Sequence, residues 1–363
     1  MNHRVRDPWA RVETRLGAWL AVVLVAQTGA TIAQESKPAA RPAPNSATEP
    51  FATAASMPRA AAFLDETALS WTRQHRCGTC HTNYPYLVAR PALTEHPSPA
   101  MVEVRRFFED RVAHWDDPEK AAKPRWDAEV VATAAALALN DAATTGQLHP
   151  LTRKALDRTW TLQKASGGFD WLKCGWPPYE HDDYYGAIVA ALGAGNAPDG
   201  YAQSPAAQAG LARLRAYFAA NPPPDLHHAT MLLWASTRLD GLMTAEDRGA
   251  TLARLRERQR PDGGWNLPSL GHWKRRDGTP NDPQAPSDGY ATGLAVFVLR
   301  QAGVPASDPA IQRGVAWLRT HQRASGRWFT RSVNNDKYHY ITHAGTAFAA
   351  LALHQCETWN DDK

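Results

Sequence analysis

The sequence predicts an all-α fold, six helix pairs closed into an (α/α)6 toroid. Three observations carry this. A turn of the form Gln-x-x-x-Gly-x-aromatic recurs at Gln163–Phe169, Gln259–Trp265 and Gln322–Trp328, with Gln74–Cys80 as a fourth copy that has Cys in the aromatic place. Amphipathic stretches alternate with Ala- and Gly-rich stretches that are apolar nearly all round, the mark of helices buried on every side. The alternation repeats six times, and such repeats stack to bury a shared core.

Before the repeats come two other segments. Arg4, Arg6, Arg11 and Arg15 precede an apolar run, Leu16 to Ala26, and small residues lead to Thr31-Ile32-Ala33 before Gln34. This is the pattern of a secretory signal peptide over residues 1–33. The run is shorter than the ~20 residues that span a bilayer, so no integral span is expected after cleavage. Residues 34–59 are mostly Ala, Pro, Ser and Thr, a composition that predicts a disordered linker. The toroid is expected over 60–356, with a tail at 357–363.

Outer helices are predicted at roughly 60–75, 100–115, 151–164, 205–220, 245–260 and 309–323. In the fourth, Leu211, Leu214, Tyr217 and Phe218 form one stripe, and Arg213 and Arg215 face away. Inner helices are predicted at roughly 84–93, 127–140, 183–194, 227–239, 289–302 and 341–354. Ala187–Leu192 and Ala344–Leu353 are their most uniformly apolar parts. In the first inner helix Pro85 suits a start, whereas Pro91 must end it. Each turn Gly stops the outer helix in a left-handed conformation, and the Gln amide is placed to bond freed backbone groups.

Charge excludes one class of partner. Residues 1–33 hold four Arg, one Asp and one Glu, so the net charge of +4 falls to +2 on cleavage. That is no nucleic-acid footprint.

Cys77-Gly78-Thr79-Cys80-His81 is the motif with the most chemistry. Two Cys separated by two residues and followed by His read as a covalent c-type haem site. Each thiol adds to a haem vinyl group, and His81 is the proximal iron ligand. The export signal agrees, because this attachment occurs outside the cytoplasm. Two alternatives stay open: zinc at Cys77, Cys80 and His81, with His75 nearby, and a Cys77–Cys80 disulfide in an altered turn. Cys174 and Cys356 are either a disulfide or two separate thiols.

In a toroid the turns gather at one mouth, so one haem per chain is expected there. Aromatic rings at that rim include Trp171, Trp176 and Tyr179. The possible distal ligands are His181, His228, His272, His339 and His343. Methionine is scarce, with only Met57, Met101, Met231 and Met243 left after cleavage, which favours a second His or an open position.

The repeated turns resemble the Gln-Trp motifs of the squalene–hopene cyclase and protein prenyltransferase superfamily, over about Ala60 to Cys356. The resemblance implies a terpenoid cyclase/prenyltransferase-like barrel with a central cavity. Those cyclases protonate an alkene with the central Asp of an Asp-x-Asp-Asp run, which this chain lacks. Asp182, Asp183 and Asp288 are weak candidates for a catalytic acid; the first two also suit an ordinary acidic helix cap. Prenyltransferases hold zinc with Asp, Cys and His late in the chain, and Cys356 has no Asp-x-Cys partner. The stretch from His81-Thr82-Asn83-Tyr84-Pro85-Tyr86 to Ala89-Arg90-Pro91 resembles exported bacterial toroid proteins that join a Cys-x-x-Cys-His-Thr segment to squalene-cyclase-like repeats.

The expected function is therefore an exported, periplasmic or secreted, haem c toroid. It transfers electrons or oxidises a substrate at the barrel mouth, with a redox protein or a small or lipid molecule in the cavity as partner. One alternative is a cyclase-like enzyme acting on an isoprenoid lipid, since an aromatic cavity suits a carbocation. Another is a polysaccharide-active or -binding toroid, recruiting Asp288 with Asp183, or Arg275 with Lys274.

Overall fold

In a computed structural model the described residues are 42–117, 127–173, 175–179 and 182–356. Among them are twelve α-helices, outer and inner in alternation. The pairs are α1 (Met57–His75) with α2 (Asn83–Ala89), α3 (Pro99–His114) with α4 (Asp127–Thr144), α5 (Pro150–Thr161) with α6 (Asp183–Asn196), α7 (Pro205–Ala220) with α8 (Leu226–Ser236), α9 (Ala245–Glu257) with α10 (Gly289–Gln301), and α11 (Pro309–Thr320) with α12 (Ile341–Gln355). Each inner helix packs on the next, and α12 packs back on α2, so the inner ring closes. This is the expected (α/α)6 toroid. A 3-10 turn, Arg90–Leu93, ends the α2 segment where Pro91 stands. No described helix is long and apolar enough to cross a membrane.

Local chemistry fixes the helix ends. α3 starts on the Ser98 hydroxyl, which accepts from the Met101 N–H at 3.1 Å, with Pro99 at the first position. Three inner helices start on Asp caps instead: Asp182, Asp225 and Asp288 accept from the N–H groups of Tyr185, His228 and Ala291 at 2.9 to 3.0 Å. Between the inner helices the packing is close. A Cβ on Gly293 would stand 2.5 Å from the Ala349 backbone nitrogen. A larger residue there would force α10 and α12 apart.

Three of the four repeated turns are built alike. The amide of Gln163, Gln259 or Gln322 donates twice: to the carbonyl of its own turn glycine and to a carbonyl at or near the next outer helix, at 2.8 to 3.1 Å. Gly167, Gly263 and Gly326 have φ of +92°, +91° and +96°, the left-handed region that favours glycine. Phe169, Trp265 and Trp328 are fully buried, and the two indoles donate to Leu255 and Leu318 carbonyls of the preceding outer helix. The Gln thus does more than end its helix: it stitches one repeat to the next.

The segment expected as a linker differs from that expectation in its second half. From residue 42 it runs along the last turn. Glu49 pairs with Arg327 at 2.7 Å, and the Ala52 N–H donates to the Gln322 carbonyl at 2.8 Å. Composition hides this because the contacts use backbone groups and only a few side chains, those of Asn45, Glu49 and Phe51 among them. Helix α1 begins at Met57 on the Ser56 cap, three residues before the expected start.

Candidate functional site

The inner-helix starts converge on one mouth, and Tyr179 sits at its centre. Its ring centroid is 5.3 Å from Tyr185 of α6, 6.2 Å from His227 of α8, 5.7 Å from Tyr290 of α10 and 5.2 Å from His81. Below it lies an axial cavity of about 80 Å3 lined by Cys80, Trp171, Tyr179, Tyr185, Trp234, Phe348 and others, nearly all apolar. Burial raises the Tyr179 hydroxyl well above its ordinary pKa, with Tyr290 and Tyr185 adding to the effect, so it stays neutral.

The Cys-x-x-Cys-His turn departs from the other three. Helix α1 ends at Arg76, which takes the left-handed conformation (φ 50°); Gly78 does not, contrary to its expected role as the helix stop. Among the described residues Gln74 reaches only the Ser70 hydroxyl, at 2.9 Å. Asn83 takes over the turn. Its Oδ1 accepts from the Thr79 N–H at 2.8 Å, and its Nδ2 donates to the Cys77 carbonyl at 3.0 Å. Cys80, in the place of a buried Trp, faces the axial cavity instead. Cys77 and Cys80 are half-buried and carry thiols, not a disulfide. His81 is 6% exposed. Burial pushes its pKa down to about 4, so its imidazole is neutral at pH 7. Trp176 and Tyr179 lie edge-on to it, at 6.3 and 5.2 Å.

Three of the five expected distal histidines are engaged elsewhere. His343 is bonded at both nitrogens, Nδ1 to the Thr82 hydroxyl at 2.9 Å and Nε2 to the Asn45 amide at 3.1 Å. His228 is held between carboxylates, Nδ1 to Asp225 at 2.7 Å and Nε2 to Asp182 at 3.0 Å. Burial alone would lower the pKa of His228, but those two carboxylates outweigh it and raise it to about 9, so the ring is cationic. His339 Nδ1 accepts from the Ser332 N–H at 3.1 Å. His272 is exposed in the loop before α10. His181 and Cys174 lie outside the described residues. Cys356 is a buried thiol at the end of α12, its pKa pushed up to about 11 by burial.

The acids serve as caps and ion-pair partners. Asp183 meets Lys164 at 3.1 Å and Lys173 at 3.4 Å. Asp288 accepts from the Ala291 and Leu267 N–H groups and the Thr330 hydroxyl. Burial pushes it up to about 6 despite those bonds. None of Asp182, Asp183 and Asp288 lines the axial cavity. Arg275 is buried against Asp336 at 2.9 Å, whereas Lys274 is exposed.

Two features escaped the sequence reading. Asn83 lies in plain view two residues after His81, but its role needs the turn geometry. Buried His227 bonds the Tyr290 hydroxyl through Nε2 at 2.7 Å, and burial lowers it to about 3. The run Asp225-Leu226-His227-His228 signalled this cluster, since a cap three residues before His places both on one turn.

No family model and no curated protein matches this chain. Among solved structures, a protein from Actinoplanes is 14% identical, covering 82% of this chain and 99% of that one, at a TM-score of 0.46. A possible GH105-family member from Klebsiella pneumoniae is also 14% identical, covering 76% and 82%, at 0.48. A type II terpene cyclase from Scytonema, solved with geranylgeranyl dihydroxybenzoate, is 11% identical, covering 83% and 99%, at 0.43.

Proposed function

We propose that this chain is an exported haem c protein, with the porphyrin attached to Cys77 and Cys80 and its iron on His81 at the barrel mouth. It serves electron transfer or haem-dependent oxidation there. One observation carries the reading. The first turn is rebuilt around Asn83, so that Cys80 faces the axis and not the core under α1, as an altered Trp would.

The donor set fits the group. Cys77 and Cys80 are accessible, and His81 is in the neutral form that binds iron. The three side chains do not converge on one point as the Asp225 cluster does, which suits two separate thioether bonds better than a shared zinc ion. The axial cavity is too small for a tetrapyrrole, so the haem belongs above it. There the segment carrying Trp176 and Tyr179 must move away from His81. Arg276, 5.2 Å over the Trp176 ring, brings a cation suited to propionate carboxylates. When bound, the haem supplies one-electron redox chemistry. The chain's own part is to hold His81 neutral, fix the turn through Asn83 and exclude water with Trp176 and Tyr179.

Production beside a c-type cytochrome maturation system tests this. Wild-type protein should keep a Soret band after denaturation and acid–acetone extraction. The Cys77→Ala/Cys80→Ala variant should lose it, and His81→Ala should keep the covalent haem with an altered ligand spectrum. No retained band, while a control cytochrome matures in the same cells, rejects the haem.

The aromatic lining of the axial cavity favours a second reading, a cyclase-like protein that takes an isoprenoid. Among the described residues no carboxylate lines that cavity, so none of them is placed to act as its acid. Incubation with squalene and mass spectrometry of the products separates the two readings.

A further inference from the structure

We infer that the start of α8 is a binding site for one zinc-type divalent cation, held by Asp225, His227 and His228. One donor atom from each lies within 4.8 Å of the others, and among the described residues this is the one such group. It is separate from the Cys77–His81 turn, and nothing in the haem reading uses it.

An independent observation points to a ligand. His227 is 0% exposed, and its Nδ1 is buried without a hydrogen-bond partner among the described residues. A buried polar atom left in this way is costly and calls for an explanation. Its Nε2 is committed to the Tyr290 hydroxyl at 2.7 Å. With Nε2–H donating to Tyr290, Nδ1 presents a lone pair. His228 stands on the same turn but is partnered differently. Its Nδ1 is beside Asp225, and its Nε2 is backed by Asp182 at 3.0 Å.

The assignment follows. Asp225 and the two Nδ1 atoms are the ligands, and Tyr290 and Asp182 are the outer partners that orient the rings. Outer partners of this kind are a regular feature of metal-binding His. Two imidazoles and one carboxylate, with a fourth position open, suit zinc. Zinc bonds of 2.0 to 2.1 Å put tetrahedral ligands roughly 3.3 Å apart, so no pair needs to close by more than roughly 1.5 Å. Asp225 also lines an outer groove of about 680 Å3, which gives the ion an entry path.

The test is Co2+ titration of the full-length chain after chelator treatment, with Cys77→Ser/Cys80→Ser alongside to remove thiolate ligands. Both proteins should bind one equivalent of Co2+, with visible d–d bands and no thiolate-to-cobalt charge transfer. His227→Ala should weaken binding at least about 100-fold, and Tyr290→Phe about tenfold, as for an outer partner. If His227→Ala misfolds by circular dichroism, His227→Gln and Tyr290→Phe decide. Failure of the Cys77→Ser/Cys80→Ser protein to bind Co2+ overturns the site. So does binding that His227→Gln and Tyr290→Phe leave unchanged.

Discussion

Gln322 and Ser56 clasp each other across 266 positions of sequence. The Gln322 amide donates to the Ser56 carbonyl at 2.9 Å, and the Ser56 N–H donates back to Gln322 Oε1 at 2.6 Å. This pair joins the last turn to the cap of the first helix, where the chain closes its ring. Gln322→Ala leaves several buried backbone groups unsatisfied, each worth about 1 to 3 kcal/mol, so a loss of about 3 kcal/mol is expected. Gln74→Ala, at the matching place in the first turn, removes one bond to Ser70 and should cost less than about 1 kcal/mol. Urea unfolding of both variants checks this; equal losses would mean that Gln322 is no clasp.

The same contrast shows what the sequence makes legible. The ring could be read because helical period and the Gln–Gly–aromatic turn are both local patterns. Trp265 and Trp328 fall where that turn places them. The first turn could not be read, since four matching letters conceal a different construction: Gln74 faces Ser70, and Asn83 holds the loop. At the mouth, sequence supplied residue types but no pairings. His228 and His343 looked available until their nitrogens were seen bonded to Asp225, Asp182, Thr82 and Asn45. Such contacts join residues far apart in the chain, and nothing in the spacing encodes them.

The N-terminal segment gives a second prediction. Glu49 meets Arg327 at 2.7 Å, its carbonyl accepts from Arg323 at 2.6 Å, and its other carboxylate oxygen accepts from the Ser325 N–H at 2.7 Å. Phe51 lies under the Arg323 guanidinium at 4.2 Å. Arg327 is nearly buried, so removing its partner is expensive. Glu49→Ala should cost about 3 kcal/mol, and deletion through residue 52 at least as much. A passive tether could be trimmed without any change in melting temperature, and that outcome would dismiss the packing.

His343 sets part of the acid limit of the fold. Burial lowers its pKa to about 3, with Arg327 and His81 adding to the effect, against about 6.5 in the unfolded chain. The folded state keeps this ring neutral while the unfolded state takes up a proton. Its contribution is therefore fully present above pH 6.5 and is lost as pH falls from there towards 3. At pH 5 the loss is about 2 kcal/mol, from roughly 1.5 pH units at 1.36 kcal/mol each. His343→Gln keeps a donor and an acceptor but does not titrate. Between pH 7.5 and 5 its stability should fall by about 2 kcal/mol less than that of wild type. Parallel pH curves would show that His343 does not titrate in this way.

Thiol counting distinguishes the states of the first turn. Cys77 and Cys80 are half-buried at the mouth, whereas Cys356 is buried and its raised pKa disfavours the reactive thiolate. In a Cys174→Ser background, reduced protein made without haem should therefore show two fast-reacting thiols when native and a third on unfolding. Thioether attachment consumes the first two. Protein matured with haem should show none when native and one, Cys356, when unfolded. Two thiols still reactive in the matured protein would leave Cys77 and Cys80 unmodified and the haem unattached. A slow thiol in the haem-free protein, by contrast, would mean that the loop carrying Trp176 and Tyr179 shields this turn more fully than its half-burial indicates.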